Sequence, residues 1–151
     1  MLFRSERRGG RRWEFDLELG DAGEMAATRS IDRIASELGI PTRSAAQIKT
    51  ALIEVLINAA EHSLSPDGRA QVTVEAEDSA LVVRVSNRGV RLADRIPAER
   101  SAEERRGWGL SLIRTLMDDV TIEPVDDGTS IVMRKRWPVE PSDSATDRPV
   151  L

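Results

Sequence analysis

The 151-residue chain contains no cysteine, which excludes a disulfide framework and any thiolate-held metal centre. It has one histidine, His62. A single imidazole completes neither a zinc site with the ligands in view nor a nucleophile triad without a placed partner. No apolar run approaches the roughly 18 residues that a membrane-spanning helix needs. The basic N-terminus lacks the apolar segment and small-residue cleavage site of a signal peptide, so a cytoplasmic protein with no membrane partner is expected. No internal repeat is present. The formal net charge of −4 suits nucleic acid poorly as the main partner, and no direct contact with it is expected.

What remains is a chain with 40% hydrophobic and 32% charged residues, long enough for one domain with its own core. "RSERRGGRR" at residues 4–12 is a basic arm with a Gly-Gly hinge. It reads as a mobile, solvated terminus over residues 1–12. "PVEPSDSATDRPVL" at 138–151, rich in Pro, Ser and Asp, reads as a disordered tail. The domain is therefore expected over 13–137.

Within it, "WEFDLEL" (13–19) alternates apolar and polar residues as a half-buried strand does. "DAGE" (21–24) has the form of a capping box with Asp21 as N-cap, opening a helix that Gly39 and Pro41 close near Leu38. "SAAQ" (44–47) offers a second box for a long helix through "ALIEVLINAAEHS". "AQVTVEA" (70–76) and "LVVRVS" (81–86) read as strands joined by "EDSA". Residues 87–106 show no sustained apolar period, and a connection that long in a small domain is usually functional. "GWGLSLIRTLMDDV" (107–120) resumes helical spacing through Leu110, Ile113, Leu116 and Met117, and a hairpin around "DDG" (126–128) follows. Strands in adjacent pairs predict an α+β class: a two-layer sandwich whose mixed, mostly antiparallel sheet carries helices on one face.

Glu54, Asn58 and His62 stand at i, i+4 and i+8 on the long helix. On a helical projection Ile48, Leu52, Val55, Leu56 and Ala59 lie in the apolar arc, while Glu54 and Asn58 fall mid-strip on the polar side. Periodicity alone thus favours a solvated face. The pair also fits a chemistry: Mg²⁺ takes oxygen ligands and keeps several waters, so one Asn oxygen plus phosphate oxygens can hold it. A carboxylate one turn earlier can orient or deprotonate a nucleophile. That chemistry needs a phosphate-binding element, and "RRGWGLSLI" (105–113) offers one. Gly107 and Gly109 allow close backbone approach at a helix start, and Arg105 and Arg106 add positive charge there. Alone, such glycines also serve as ordinary turns and caps.

In one order, "EVLINAAEHS", "VSNRG", "GWGLSLIRTLMDDV" and "DGTSIVMRK" closely resemble the N-box, the two glycine boxes and the closing strand of the GHKL ATPases. These are the histidine-kinase-like fold of histidine kinases, gyrase B and their relatives. The chain is most similar to the small anti-sigma-factor serine kinases of bacterial partner switching, over about residues 13–137. The resemblance implies the Bergerat fold and the cofactors ATP and Mg²⁺. Glu54 would be the general base toward a substrate serine and Asn58 the Mg²⁺ ligand. His62, Asn87, Gly89, Arg105, Arg106, Gly107, Trp108, Gly109, Leu110 and Thr129 would line the nucleotide site, with an ATP lid at about 90–106. Trp108 has either the core or the nucleotide to pack on. The implied partners are a STAS-domain antagonist and a sigma factor, with a homodimer as a common family state.

One box departs from the pattern. The family's Asp-x-Gly-x-Gly is here Asn87, Gly89 and Arg91, which replaces the carboxylate that meets the adenine amine by a neutral amide. A loss of ~1–2 kcal/mol weakens binding about ten-fold. Three readings follow: a serine kinase that sequesters a target, a non-catalytic binding module with weakened nucleotide binding, and an ATPase that regulates another enzyme.

Overall fold

The computed structural model describes residues 3–7, 10–62, 66–89, 110–125 and 127–138, with 3–7 and His62 at the level of the backbone. Six strands and three helices occur among the described residues: β1 (Phe3–Arg7), β2 (Gly10–Glu18), α1 (Asp21–Leu38), α2 (Thr42–His62), β3 (Arg69–Glu77), β4 (Ala80–Arg88), α3 (Leu110–Leu116), β5 (Asp119–Val125) and β6 (Gly128–Arg136). They form one sheet in the order β1-β2-β3-β4-β6-β5. Every described strand pair is antiparallel. The two-layer α+β expectation is borne out.

Strand alternation decides which face meets the helices. Trp13, Phe15 and Leu17 pair with Val74, Val72 and Ala70, and Val83 and Val85 pair with Met133 and Ile131; all are buried. Against them lie Ile31 and Ile34 of α1 and Ile48, Leu52 and Val55 of α2, each 1% exposed or less. Fully burying such a side chain stabilises by about 1.5–3 kcal/mol, so this layer carries the fold. The opposite face is polar. Arg84 bonds Glu123 at 2.8 Å and Ser130 at 3.2 Å, Arg12 reaches Glu75 at 3.1 Å as well as Glu14, and Arg134 meets Glu77. Exposed pairs of this kind contribute ~0–1 kcal/mol each.

Local signals were partly overridden. Gly39 takes φ 68° and its N–H closes α1 on the Ala35 carbonyl, as the closing glycine predicts. Asp21 is no N-cap: it is already helical, Gly20 holds the cap position at φ 125°, and no side chain caps the end. The Gly20 carbonyl accepts the Glu24 N–H at 3.0 Å. Likewise α2 opens at Thr42, with the Pro41 carbonyl accepting the Ala45 N–H at 2.9 Å; Ser44, the expected cap, is buried inside the helix. The strand expected from residue 13 begins at Gly10 and pairs with β1, so the described part of the basic arm is strand. The helix expected to residue 120 ends at Leu116, because Asp118 and the residues after it pair with β6. Residues 139–151, expected as a disordered tail, lie outside the described residues.

No helix among the described residues is long and apolar enough to cross a membrane.

Candidate functional site

The helix α2 packs against α1 on one side, against α3 on another, and over β4 and β6. Glu54 and Asn58 follow each other on one face of it, one turn apart, where Cβ atoms stand about 5–6 Å from each other. The solvated-face reading fails here. Asn58 is only 5% exposed and Glu54 is half-buried. Periodicity saw only the α2–sheet contact; with α1 and α3 both packed along α2, the solvated strip is narrower than the projection implies.

The Asn58 amide nitrogen is buried and has no hydrogen-bond partner among the described residues. Leaving such a donor unpaired costs about 1–3 kcal/mol. A polar group kept at that cost in an otherwise apolar layer is suited to an external partner, and its amide oxygen is of the hard type that Mg²⁺ takes.

The strand ends beneath α2 supply the second half. Asn87 of β4 stands in register with Thr129 of β6, and alternation from Val85 and Ile131 puts both on the helix-facing side. Thr129 is 4% exposed. The Asn87 amide nitrogen donates to the Arg88 carbonyl at 3.3 Å, which leaves its oxygen as the end able to accept from a ligand. Gly89, just past β4, has φ 134°, a conformation that favours glycine. Its N–H donates to the Asp127 carbonyl at 2.8 Å. Leu110, the first residue of α3, is buried. The structure thus brings Glu54 and Asn58 onto the helix that lies over the strands carrying Asn87 and Thr129. A depression at this end of the sheet is lined by Asp16, Asp67, Arg69, Ala70, Gln71, Ser86, Asn87, Arg88, Val125 and Asp127. Asp16, Gln71 and Ser86 come from the face away from the helices, Asn87 borders it as well, and neither Glu54 nor Asn58 lines it.

Arg91, Arg105, Arg106, Gly107, Trp108, Gly109 and the 90–106 lid lie outside the described residues, as does the His62 side chain. Sequence reasoning passed over Gly128. A Cβ built there would stand 1.9 Å from the Asn87 carbonyl oxygen, so β6 can enter the site only as glycine. From sequence, Gly128 falls in the "DDG" turn and at the head of the closing strand "DGTSIVMRK", with no site role of its own. Arg88 was also passed over; its Nε donates to Asp127 Oδ2 at 2.8 Å.

A helix layer over a six-stranded antiparallel sheet defines a two-layer α+β domain, with an Asn58 amide nitrogen that is buried and unpaired among the described residues. The family described as "Histidine kinase-like ATPase domain" matches residues 20–135, and the chain belongs to it. ATP binding is the property that family membership implies. Among relatives, the serine-protein kinase RsbW of Listeria monocytogenes serotype 4a (strain HCC23) is 36% identical over 118 residues, covering 70% of this chain and 74% of that protein. The anti-sigma F factor of Geobacillus stearothermophilus is 27% identical over 123 residues, covering 76% and 84%. In fold, the chain matches the crystal structure of the RsbU and RsbW domains of a Mycobacterium tuberculosis protein. The TM-score is 0.66 at 20% identity, over 83% of this chain and 32% of that one.

Proposed function

We propose that the chain is a serine protein kinase and anti-sigma factor of the partner-switching type. It binds Mg-ATP in the cytoplasm, sequesters a sigma factor, and phosphorylates a STAS-domain antagonist. The observation that carries this reading is the buried Asn58 amide nitrogen, without a partner among the described residues, one turn from a half-buried carboxylate and in a chain related to RsbW.

In this reading ATP supplies the phosphoryl group, and Mg²⁺ offsets the charge of its phosphates. Asn58 would hold the metal through its amide oxygen, and its amide hydrogens would be available to phosphate oxygens. Glu54 would accept the proton of the antagonist's serine hydroxyl as that oxygen takes the γ-phosphoryl group of ATP and ADP leaves. Asn87 accepts a hydrogen bond from the adenine amine through its side-chain oxygen, and Thr129 completes that end of the pocket. The peptides around Gly107 and Gly109 serve the phosphates, with Arg105 and Arg106 adding charge. A phosphorylated antagonist gains roughly −1.5 to −2 charges on its contact surface and lets go. The switch then holds the sigma factor.

Calorimetric titration with Mg-ATP, followed by a transfer assay with the cognate antagonist, tests the reading. Micromolar to submillimolar binding and phosphoserine on the antagonist are expected. An absence of binding at millimolar nucleotide would remove the kinase and leave the partner-binding module.

A further inference from the structure

We propose that Arg88 and Asp127 are positioning residues: together they hold the Asn87 amide with its oxygen toward the base, so that a clamped neutral side chain selects a 6-amino purine. The inference rests on the nucleotide reading above and names how that site chooses its base.

The clamp is visible bond by bond. Asp127 grips residues 88 and 89 at two points. Its backbone carbonyl accepts the Gly89 N–H at 2.8 Å, and its carboxylate accepts Arg88 Nε–H at 2.8 Å. A second carboxylate, Asp67 ahead of β3, lies 3.9 Å from Arg88 Nη1. The Arg88 carbonyl is therefore held in place, and it accepts the Asn87 amide hydrogen at 3.3 Å. A Cβ on Gly128, the residue after Asp127, would stand 1.9 Å from the Asn87 carbonyl oxygen, so the two strands approach this closely only because that residue is glycine.

An aspartate needs no such arrangement, because both its oxygens accept. An asparagine presents a donor or an acceptor according to how its amide is turned, and so would meet a 6-amino or a 6-oxo purine alike. Committing the nitrogen to Arg88 leaves the oxygen, which accepts from an exocyclic amine and is repelled by an exocyclic oxygen. Arg88 and Asp127 are about 60% exposed, and exposed ion pairs add little stability. Orientation is the use such a pair is suited to.

The test compares the full chain's affinity for Mg-ATP with that for Mg-ITP, which carries an oxo group where ATP has the amine. The wild type is expected to favour ATP about ten-fold, one decade corresponding to ~1.4 kcal/mol. Arg88→Ala should bring the ratio to about three-fold or less. Arg88→Lys, which keeps a cation opposite Asp127, should recover part of it. Asp127→Asn provides the same loss from the other side and carries the test if Arg88→Ala does not fold. Equal wild-type affinities overturn the proposal. So does an Arg88→Ala protein in which both nucleotides weaken by the same factor, since that is what a merely structural role would give. If the wild type binds neither nucleotide, the nucleotide reading falls and this one with it; firm ATP binding without discrimination sinks the clamp alone.

Discussion

Gly128 lies so close beneath Asn87 that a Cβ on it would stand 1.9 Å from the Asn87 carbonyl oxygen and 2.8 Å from the Arg88 Cα. Both obstacles are backbone atoms, so no side chain can swing away to admit it. Gly128→Ala must then push β6 off β4 next to the pair Asn87 and Thr129, the proposed adenine end of the site. Overpacking of this kind costs ~1–3 kcal/mol. At roughly 2–4 °C per kcal/mol for a domain of this size, a melting scan should record a fall of about 2–12 °C. Calorimetry should record at least a ten-fold loss of ATP affinity; unchanged affinity would mean that the strand ends are not part of the site.

Asn58→Leu separates stability from function, because the two should move in opposite directions. The wild-type amide nitrogen is buried with no partner among the described residues, and replacing an unsatisfied polar group by an apolar one of similar size removes a cost of ~1–3 kcal/mol. The ligand-free variant should melt at the same temperature as the wild type or higher. Mg-ATP should no longer raise that temperature, whereas it should raise the wild type's by mass action. A variant that melts well below the wild type without nucleotide would show that the amide serves the fold instead.

Glu54→Gln keeps the size of the side chain and removes its ability to take a proton. The variant should bind ATP within a few-fold of the wild type, since the carboxylate is assigned to the protein substrate's hydroxyl rather than to the nucleotide. Phosphoserine on the antagonist should fall by at least a hundred-fold, the lower range of what a positioned general base contributes (~10²–10⁴). Transfer at a wild-type rate would assign the base elsewhere.

These substitutions draw unequally on what the sequence made legible. Short-range chemistry was readable wherever one residue type has one use. Gly39 ended α1 in a left-handed conformation, and the polar Asp78–Ser79 turn joined two alternating strands. The capping boxes misled, because Asp21 and Ser44 had a competitor invisible in pattern. Gly20 and Pro41 backbone carbonyls already receive the first helical N–H groups, so the acidic and hydroxyl side chains sit one position or more inside. Leu116, Met117 and Val120 satisfy a helical period, yet Val120 and Ile122 equally satisfy a strand period, and pairing to Met133 and Ile131 decided between them. Asn58 is the instructive case. Spacing puts it on the polar strip of α2, yet it is 5% exposed, and that burial comes from neighbouring elements that no single-helix projection contains. The Gly128–Asn87 approach joins residues 41 positions apart, which only the sheet register reveals.

Asn87→Asp asks whether the departure from the family's glycine box weakens the pocket. A carboxylate accepts from the adenine amine with charge assistance, and such bonds are roughly twice as strong as neutral ones. The substitution also forfeits the bond to the Arg88 carbonyl and places two acceptors near each other, so the carboxylate must turn toward the cleft. The gain should exceed that loss, because Asn87 is only half-buried and the forfeited bond is long at 3.3 Å. ATP affinity is expected to rise about three- to ten-fold, or ~0.7–1.4 kcal/mol. Calorimetry with Mg-ATP reads it directly. An affinity equal to the wild type's or lower would mean that Asn87 does not face the adenine amine.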